Sequence, residues 1–259
     1  MLSGKSFVIN LKRRLDRLER FTKFYNTDGP DLPLVVFEAI DGSNQIDFDR
    51  IPTELLQLIS ENNDFKNSDT IKAIAWSHMI IWKMIADGPD DYGMIYEDDC
   101  FFRECNKLLP DISAKNLKKS WSKIIKDFEK NISNTNDILY FGVGDLLPIH
   151  TVPPSESILK AQEYSHVIRN PFYTLSYAKP NFKSAYVFPW LGLSSYVVSK
   201  NAANYLLNKL NQTPLNRAID AWIRVNCEQM IYFTIPLFTY IPNYLTDSDN
   251  YDPKIKESI

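Results

Sequence analysis

The sequence predicts an α/β protein whose central sheet is mostly parallel and is covered by helices on both faces. Short blocks rich in β-branched and aromatic residues alternate with longer segments in which apolar residues recur at helical spacing. Turn signals such as Asp41-Gly42 and Gly88-Pro89 separate the two kinds of segment. Consecutive parallel strands need a crossover that is usually a helix, so this alternation favours a parallel arrangement.

The elements follow one another in a regular order through the first half of the chain. The predicted order is a strand at 7–11, a helix to Phe24, a strand at 34–40, a short helix at 52–60, a helix between Ser68 and Gly88, a strand at 92–96, a helix at 117–128 and a strand at 138–141.

Residues 143–186 interrupt this order. They are rich in proline, tyrosine and polar residues and show no sustained period. A long irregular stretch inside a compact domain is usually functional, so we expect an acceptor-side insertion or lid here. Order returns at Val187, with helices expected at 201–210 and 217–229 and an extended segment at 231–241.

Length, composition and charge limit the kind of protein. The 259 residues are 44% hydrophobic and 24% charged, which suits one globular domain spanning residues 1–259. The formal net charge is −3, so we expect no nucleic-acid partner. The three cysteines lack metal-site spacing and are expected to be reduced thiols. We find no apolar run suited to a signal peptide or a membrane span, and we expect a cytoplasmic protein.

Three consecutive acids, Glu97-Asp98-Asp99, follow the strand predicted at 92–96. The carboxyl edge of a parallel sheet is where open α/β folds bind ligands. In an extended segment Glu97 and Asp99 would face one side and Asp98 the other. Neighbouring carboxylates repel unless a cation or a shared proton compensates, and oxygen ligands suit Mg²⁺ or Mn²⁺. The triplet therefore predicts a metal site, with a solvated turn as the alternative.

Several segments resemble glycosyltransferase family 25, the group that includes lipopolysaccharide-modifying enzymes and collagen galactosyltransferases. They occur in family order over most of residues 7–225. The resembling segments are FVINLKRRLDRLERF at 7–21, VFEAIDG at 36–42, WSHMIIW at 76–82, MIYEDD at 94–99 and WLGLSSYVVSKNAANYLL at 190–207.

The resemblance implies a fold and a reaction. The fold would be a GT-A type nucleotide-binding sandwich, and the reaction would be inverting transfer of galactose or glucose from a UDP-sugar to an acceptor hydroxyl, with Mn²⁺ or Mg²⁺ as cofactor. The acceptor would be a glycan, a lipid-linked sugar or a protein.

The same resemblance implies roles for residues at the strand ends. Asp99 would bind the metal, while Glu97 would hold the ribose or a metal-bound water and share the metal site. Asn10 and Asp41 would lie where the uridine binds. Alternatively, Asn10 caps a turn and Asp41 belongs to the turn before Gly42.

The remaining candidates come from three other motifs. Ser77, His78, Asp98 and Gly192 are expected on the donor side, although a lone histidine on a helix is often simply packed and hydrogen-bonded. Asp220 is the expected catalytic base that deprotonates the acceptor. Its alternative role is that of an acid placed to favour the helix dipole.

One stretch departs from the family pattern. Where the family usually has Gly-Glu-x-Gly-Cys, this chain has Thr70, Ile71, Ala73 and Ile74. The departure keeps open a protein that binds a nucleotide-sugar or glycan without turnover. A glycosidase would need two acids about 5 to 9 Å apart and no nucleotide, so adjacent acids argue against it. A third metal ligand is expected from Asp247 or Asp249.

Overall fold

The computed structural model describes residues 2–43, 48–63, 68–102, 117–131, 134–143, 166–169, 176–179, 193–227, 231–235 and 239–240. The strands within these ranges are β1 (Gly4–Asn10), β2 (Leu34–Glu38), β3 (Tyr92–Glu97), β4 (Ile138–Tyr140), β5 (Gly142–Val143), β6 (His166–Arg169), β7 (Ser176–Lys179), β8 (Ser195–Ser199), β9 (Ile231–Ile235) and β10 (Thr239–Tyr240). The α-helices are α1 (Leu15–Asp28), α2 (Thr53–Leu56), α3 (Asp69–Asp87), α4 (Leu117–Asn131), α5 (Lys200–Gln212) and α6 (Ile219–Asn226), and Phe48–Arg50 forms a 3₁₀ turn.

The main sheet is mixed, which corrects the expectation of a mostly parallel one. Its strand order is β2-β1-β3-β8-β4-β9-β7-β6, and β5 pairs separately with β10. Strand β1 is parallel to β2 and β3, and β4 is parallel to β9. Strand β8 runs antiparallel between β3 and β4, and β7 is antiparallel to both β9 and β6. A buried apolar run looks the same in either direction, so the sequence pattern does not report strand direction.

Helices cover both faces of the sheet, as expected. Alternate strand residues point to opposite faces. One face packs on α3, α5 and α6, and its strand residues include Phe7, Ile95, Tyr140, Tyr196 and Val198. The other face packs on α1 and α4, and its strand residues include Val8, Tyr92, Met94, Tyr96, Leu139 and Val197. The sheet therefore has a separate apolar core on each side.

Helix α3 is rich in apolar residues and packs against β1 of the sheet and against the neighbouring helices α2 and α5. Nine of its side chains are buried. It ends where the Gly88 N–H donates to the Met84 carbonyl at 3.0 Å. Ser68 stands at its N-terminus as predicted but makes no side-chain cap. A Cβ on Gly42 would collide with the Asp69 carbonyl, so the Asp41-Gly42 turn packs closely on the start of α3.

The stretch 143–186 contributes two strands, β6 and β7, to one edge of the main sheet. It is therefore not irregular throughout, while most of it lies outside the described residues. Its role on the acceptor side stays a prediction. In the part of the chain that the structure describes, no helix combines the length and the apolar character that crossing a membrane requires.

Candidate functional site

The candidate site lies at the carboxyl ends of β1 and β3. These strands are parallel neighbours, with Ile9 paired to Glu97, so Asn10 and the acidic triplet meet at one edge of the sheet. The residue before the next strand, β8, holds the Glu97 backbone, because the Glu97 N–H donates to the Ser194 carbonyl at 2.9 Å. Three segments that are distant in sequence thus fix the start of the triplet.

Asp98 lies beneath the surface in an ion pair with Arg17. One carboxylate oxygen accepts from the Arg17 guanidinium at 3.2 Å and the other accepts from Asn10 Nδ2 at 2.6 Å. All three side chains are buried. Burial raises the pKa of Asp98, and Arg17 and Asn10 oppose that rise. This geometry gives Asp98 a structural role, and the expected donor contact stays a prediction.

Asp99 carries the least compensated charge of the triplet. Its Oδ1 is buried and has no hydrogen-bond partner among the described residues. Burial, followed by the neighbouring charges of Glu97 and Asp98, raises the pKa of Asp99 to about 8. An acid in this position either keeps its proton or gains from a nearby cation.

Glu97 is held by a buried histidine. His78 on α3 contacts Glu97 Oε1 through Nε2 at 3.3 Å and contacts the Tyr196 hydroxyl through Nδ1 at 2.7 Å. The Tyr196 hydroxyl also accepts from Trp82 Nε1 at 2.9 Å. The Glu97 side chain is 27% exposed, whereas the His78 side chain is 1% exposed. Of the two, only Glu97 reaches the surface of the site.

Asp220 joins the same site from the first turn of α6. Burial raises the pKa of Asp220, and the charge of Glu97 raises it further. Asp220 Oδ1 also accepts from the Ala221 N–H at 2.7 Å, a helix-end contact that fits the alternative role. Asp220 is thus close enough to Glu97 for their charges to interact, and its role as the base stays a prediction.

Two further candidates have well-defined structural partners. Asp41 accepts from the Ser43 N–H and hydroxyl and pairs with Arg13 Nε at 3.0 Å. Burial acts to raise the pKa of Asp41, but the Ser43 hydrogen bonds and the Arg13 charge outweigh it and lower the pKa. The Ser77 hydroxyl accepts from the buried Ile40 N–H at 3.0 Å and donates to the Ala73 carbonyl at 2.8 Å.

The site also contains residues whose partners the sequence did not indicate. Arg17 belongs to a basic cluster whose sequence suggested either a diphosphate contact or a solvated helix face, whereas in the structure it is buried and pairs with Asp98. The sequence pattern indicates only that Tyr196 and Trp82 are apolar core positions. The four-residue spacing of His78 and Trp82 does, however, place the polar ring nitrogens of both side chains on one face of α3. Gly192, Asp247 and Asp249 lie outside the described residues.

The described acids fit a cation only in part. Within the described ranges no group of three or more His, Cys, Asp or Glu side chains is close enough to hold a metal ion. The fit rests on Asp99, whose buried Oδ1 has no described hydrogen-bond partner, and on the nearby charge of Glu97, since hard cations prefer carboxylate oxygens.

The fold and the candidate site first define a class: an α/β protein with a cluster of acids at the carboxyl end of central strand β3. The comparison with protein families then defines the family. The model described as glycosyltransferase family 25 (LPS biosynthesis protein) matches residues 4–223. The chain therefore belongs to glycosyltransferase family 25, and this membership supports glycosyltransferase activity, with a sugar donor and an acceptor as partners. A comparison with curated proteins finds no significant match.

Proposed function

We propose that this protein transfers a hexose, galactose or glucose, from a UDP-sugar to an acceptor hydroxyl with inversion, using a divalent cation in a GT-A type fold. The observation that carries the proposal is the pair of acids at the carboxyl end of β3, Glu97 and Asp99, together with Asp220 on α6, whose pKa is raised in part by the charge of Glu97. A metal-dependent inverting transfer uses a cation site and a proton acceptor, and these acids supply candidates for both.

Asp99 and Glu97 are the residues proposed to hold Mn²⁺ or Mg²⁺. A cation bound there would act as a Lewis acid that stabilises the negative charge of the leaving diphosphate. The raised pKa of Asp99 supports this role, because a cation would compensate the charge that the protein leaves uncompensated. A third ligand is proposed to come from Asp247 or Asp249.

Asp220 is proposed to be the general base. As the acceptor oxygen bonds to the anomeric carbon and the bond to UDP breaks, the hydroxyl proton passes to the Asp220 carboxylate. Burial and the charge of Glu97 raise the pKa of Asp220, which makes it a better proton acceptor than an exposed aspartate. A base in this role contributes about 10²–10⁴ in rate. Asn10 and Asp41 remain the proposed uridine contacts, and the acceptor is a glycan, a lipid-linked sugar or a protein.

The test is a panel of UDP-sugars and GDP-sugars, assayed with Mn²⁺, with Mg²⁺ and with a chelator, following release of the nucleotide diphosphate. We expect release from UDP-galactose or UDP-glucose that requires the metal. It should be lost in Asp99→Asn and kept in Asp87→Asn, a control acid on α3 that is 63% exposed and pairs with Lys83. Metal-independent release, or an active Asp99→Asn protein, would contradict the proposal. Tight UDP binding in calorimetry without release from any donor would instead identify a non-catalytic binding protein.

A further inference from the structure

Three buried side chains form a continuous hydrogen-bonded series that ends on Glu97. In order they are Trp82, Tyr196 and His78, and each is fully buried. The contacts are 2.9 Å from Trp82 Nε1 to the Tyr196 hydroxyl, 2.7 Å from that hydroxyl to His78 Nδ1 and 3.3 Å from His78 Nε2 to Glu97 Oε1. We call this series the Trp82 chain.

One arrangement of protons gives every atom of the Trp82 chain a partner. The Trp82 N–H can only donate, so the Tyr196 oxygen accepts from it. The Tyr196 O–H then donates to His78 Nδ1, and the proton on His78 Nε2 donates to the Glu97 carboxylate. Because the Glu97 carboxylate can only accept, it requires the Nε2–H tautomer of neutral His78, and Nδ1 is then left to accept from the Tyr196 hydroxyl.

Both ring nitrogens of His78 are therefore occupied within the protein. A direct contact between His78 and a donor sugar or nucleotide would need an exposed nitrogen, and the His78 side chain is 1% exposed. Glu97, by contrast, is partly exposed and has several rotatable bonds. Ser194, the residue before the strand that carries Tyr196, accepts from the Glu97 N–H at 2.9 Å. Backbone and side chain of Glu97 are thus fixed by neighbouring positions at one end of β8.

We propose that the Trp82 chain positions Glu97, and that His78 is a positioning residue which acts through Glu97 and does not contact the ligand. One carboxylate oxygen of Glu97 is fixed by His78, and the other is left to face the ligand side. The inference rests on the proposed function, because it takes Glu97 to be part of the donor and cation site. Its structural half, the tautomer and the order of the contacts, can be tested without any turnover.

The kinetic test compares variants that keep or break the Trp82 chain. Glutamine carries one acceptor and one donor, so His78→Gln can accept from Tyr196 and donate to Glu97 but cannot act as a base. We expect His78→Gln to retain kcat within about 10-fold of the unsubstituted protein, while His78→Leu and Tyr196→Phe lose about 10²-fold, the loss typical of a misplaced catalytic group. Tyr92→Phe, a buried tyrosine at the far end of β3, is the control and should be unaffected.

A double substitution tests whether Tyr196 acts through His78. If it does, the protein with both His78→Leu and Tyr196→Phe should be no less active than the His78→Leu protein. If the kcat losses of the two single substitutions instead multiplied in the double variant, Tyr196 would act independently of His78, and the proposed Trp82 chain would be wrong. Equal inactivity of His78→Gln and His78→Leu would overturn the positioning role, because it would mean that the imidazole itself meets the ligand or a proton.

The tautomer is read by long-range proton–nitrogen NMR of the histidine rings. The chain has three histidines, and His78 is assigned by the signals missing from His78→Gln. We expect a proton on Nε2 and a hydrogen-bonded Nδ1 without one, and a shift of the Nδ1 signal in Tyr196→Phe but not in Tyr92→Phe. A proton on Nδ1 would overturn the inference. Absence of donor turnover in the unsubstituted protein would refute the proposed function alone, since the NMR result stands apart from it.

Discussion

Replacing Asp99 by asparagine tests the electrostatics of the site through the stability of the fold. The pKa of Asp99 is about 8 in the folded protein, against 3.8 for an unperturbed aspartate. Between these values the unfolded chain releases a proton that the folded chain keeps. The free energy of unfolding therefore falls as the pH rises, by about 1.4 kcal/mol per pH unit for one proton. Below the lower value both states are protonated, and above the higher value both are ionised.

Asparagine cannot ionise, so the unfolding free energy of the Asp99→Asn protein should lack the decrease with pH that Asp99 causes. The difference in unfolding free energy, variant minus unsubstituted protein, should grow by up to about 3 kcal/mol between pH 5 and pH 7. Urea denaturation at pH 5, 6 and 7 measures it. Asp98 and Asp220, whose pKa values are also raised, are present in both proteins and largely cancel. If the unfolding free energies of the two proteins changed in parallel with pH, the reasoning would be refuted. The control variant Asp87→Asn should show a pH profile parallel to that of the unsubstituted protein.

Urea denaturation of the unsubstituted and Asp99→Asn proteins, with and without Mn²⁺, tests whether Asp99 binds the cation. A ligand that binds only the folded state stabilises it by about 2.7 kcal/mol at a concentration 100 times its Kd. At pH 7 we expect Mn²⁺ to stabilise the unsubstituted protein and to leave Asp99→Asn nearly unchanged. Equal stabilisation of both would place the cation elsewhere, without affecting the conclusion about the Asp99 pKa.

Three further substitutions separate structural from catalytic roles. Asp220→Asn should lower kcat by about 10²-fold or more with UDP affinity unchanged, as steady-state kinetics and calorimetry would show; near-normal turnover in a folded variant would leave only the helix-end role. Asp98→Ala should cost about 3–5 kcal/mol in urea unfolding because it removes one partner of a buried ion pair with Arg17, whereas a cost below about 1 kcal/mol would mean that the pair behaves as a surface one. Ser77→Ala should cost about 1–3 kcal/mol because the buried Ile40 N–H loses its acceptor; a fall in UDP affinity would instead support the donor contact.

The secondary structure was largely predictable because its signals are local. The helix from Ser68 to Gly88 and the strand after Gly88-Pro89 were each marked by a period and a turn, and α3 and β3 occupy those places. Strand direction was not predictable. The run that forms β8 is Ser-Tyr-Val-Val-Ser, and all five of its side chains are buried, so it shows no alternation between a polar and an apolar face. Such a run carries no information about whether its neighbours are parallel.

The location of the acidic triplet at the sheet edge was predictable from its position in the sequence. A strand ending in acids at the sheet edge led to Glu97 and Asp99, while Asp220 came from the family resemblance. The partners of these acids were not predictable. Arg17 lies 81 residues from Asp98, and Tyr196 lies 118 residues from His78. Contacts at such separations follow from how the elements pack, which no local pattern reports.

The position of β8 has a consequence for how the protein folds during synthesis. Both of its neighbours in the sheet, β3 and β4, precede it in the chain, so they leave the ribosome before the strand that joins them. Until β8 arrives, each has an unpaired edge that invites pairing with another chain. The late pairing also raises the contact order, which slows folding. We therefore expect nascent chains that stop before Ser195 to need chaperones more than the full chain does, and the ligand site to form only after β8 is in place.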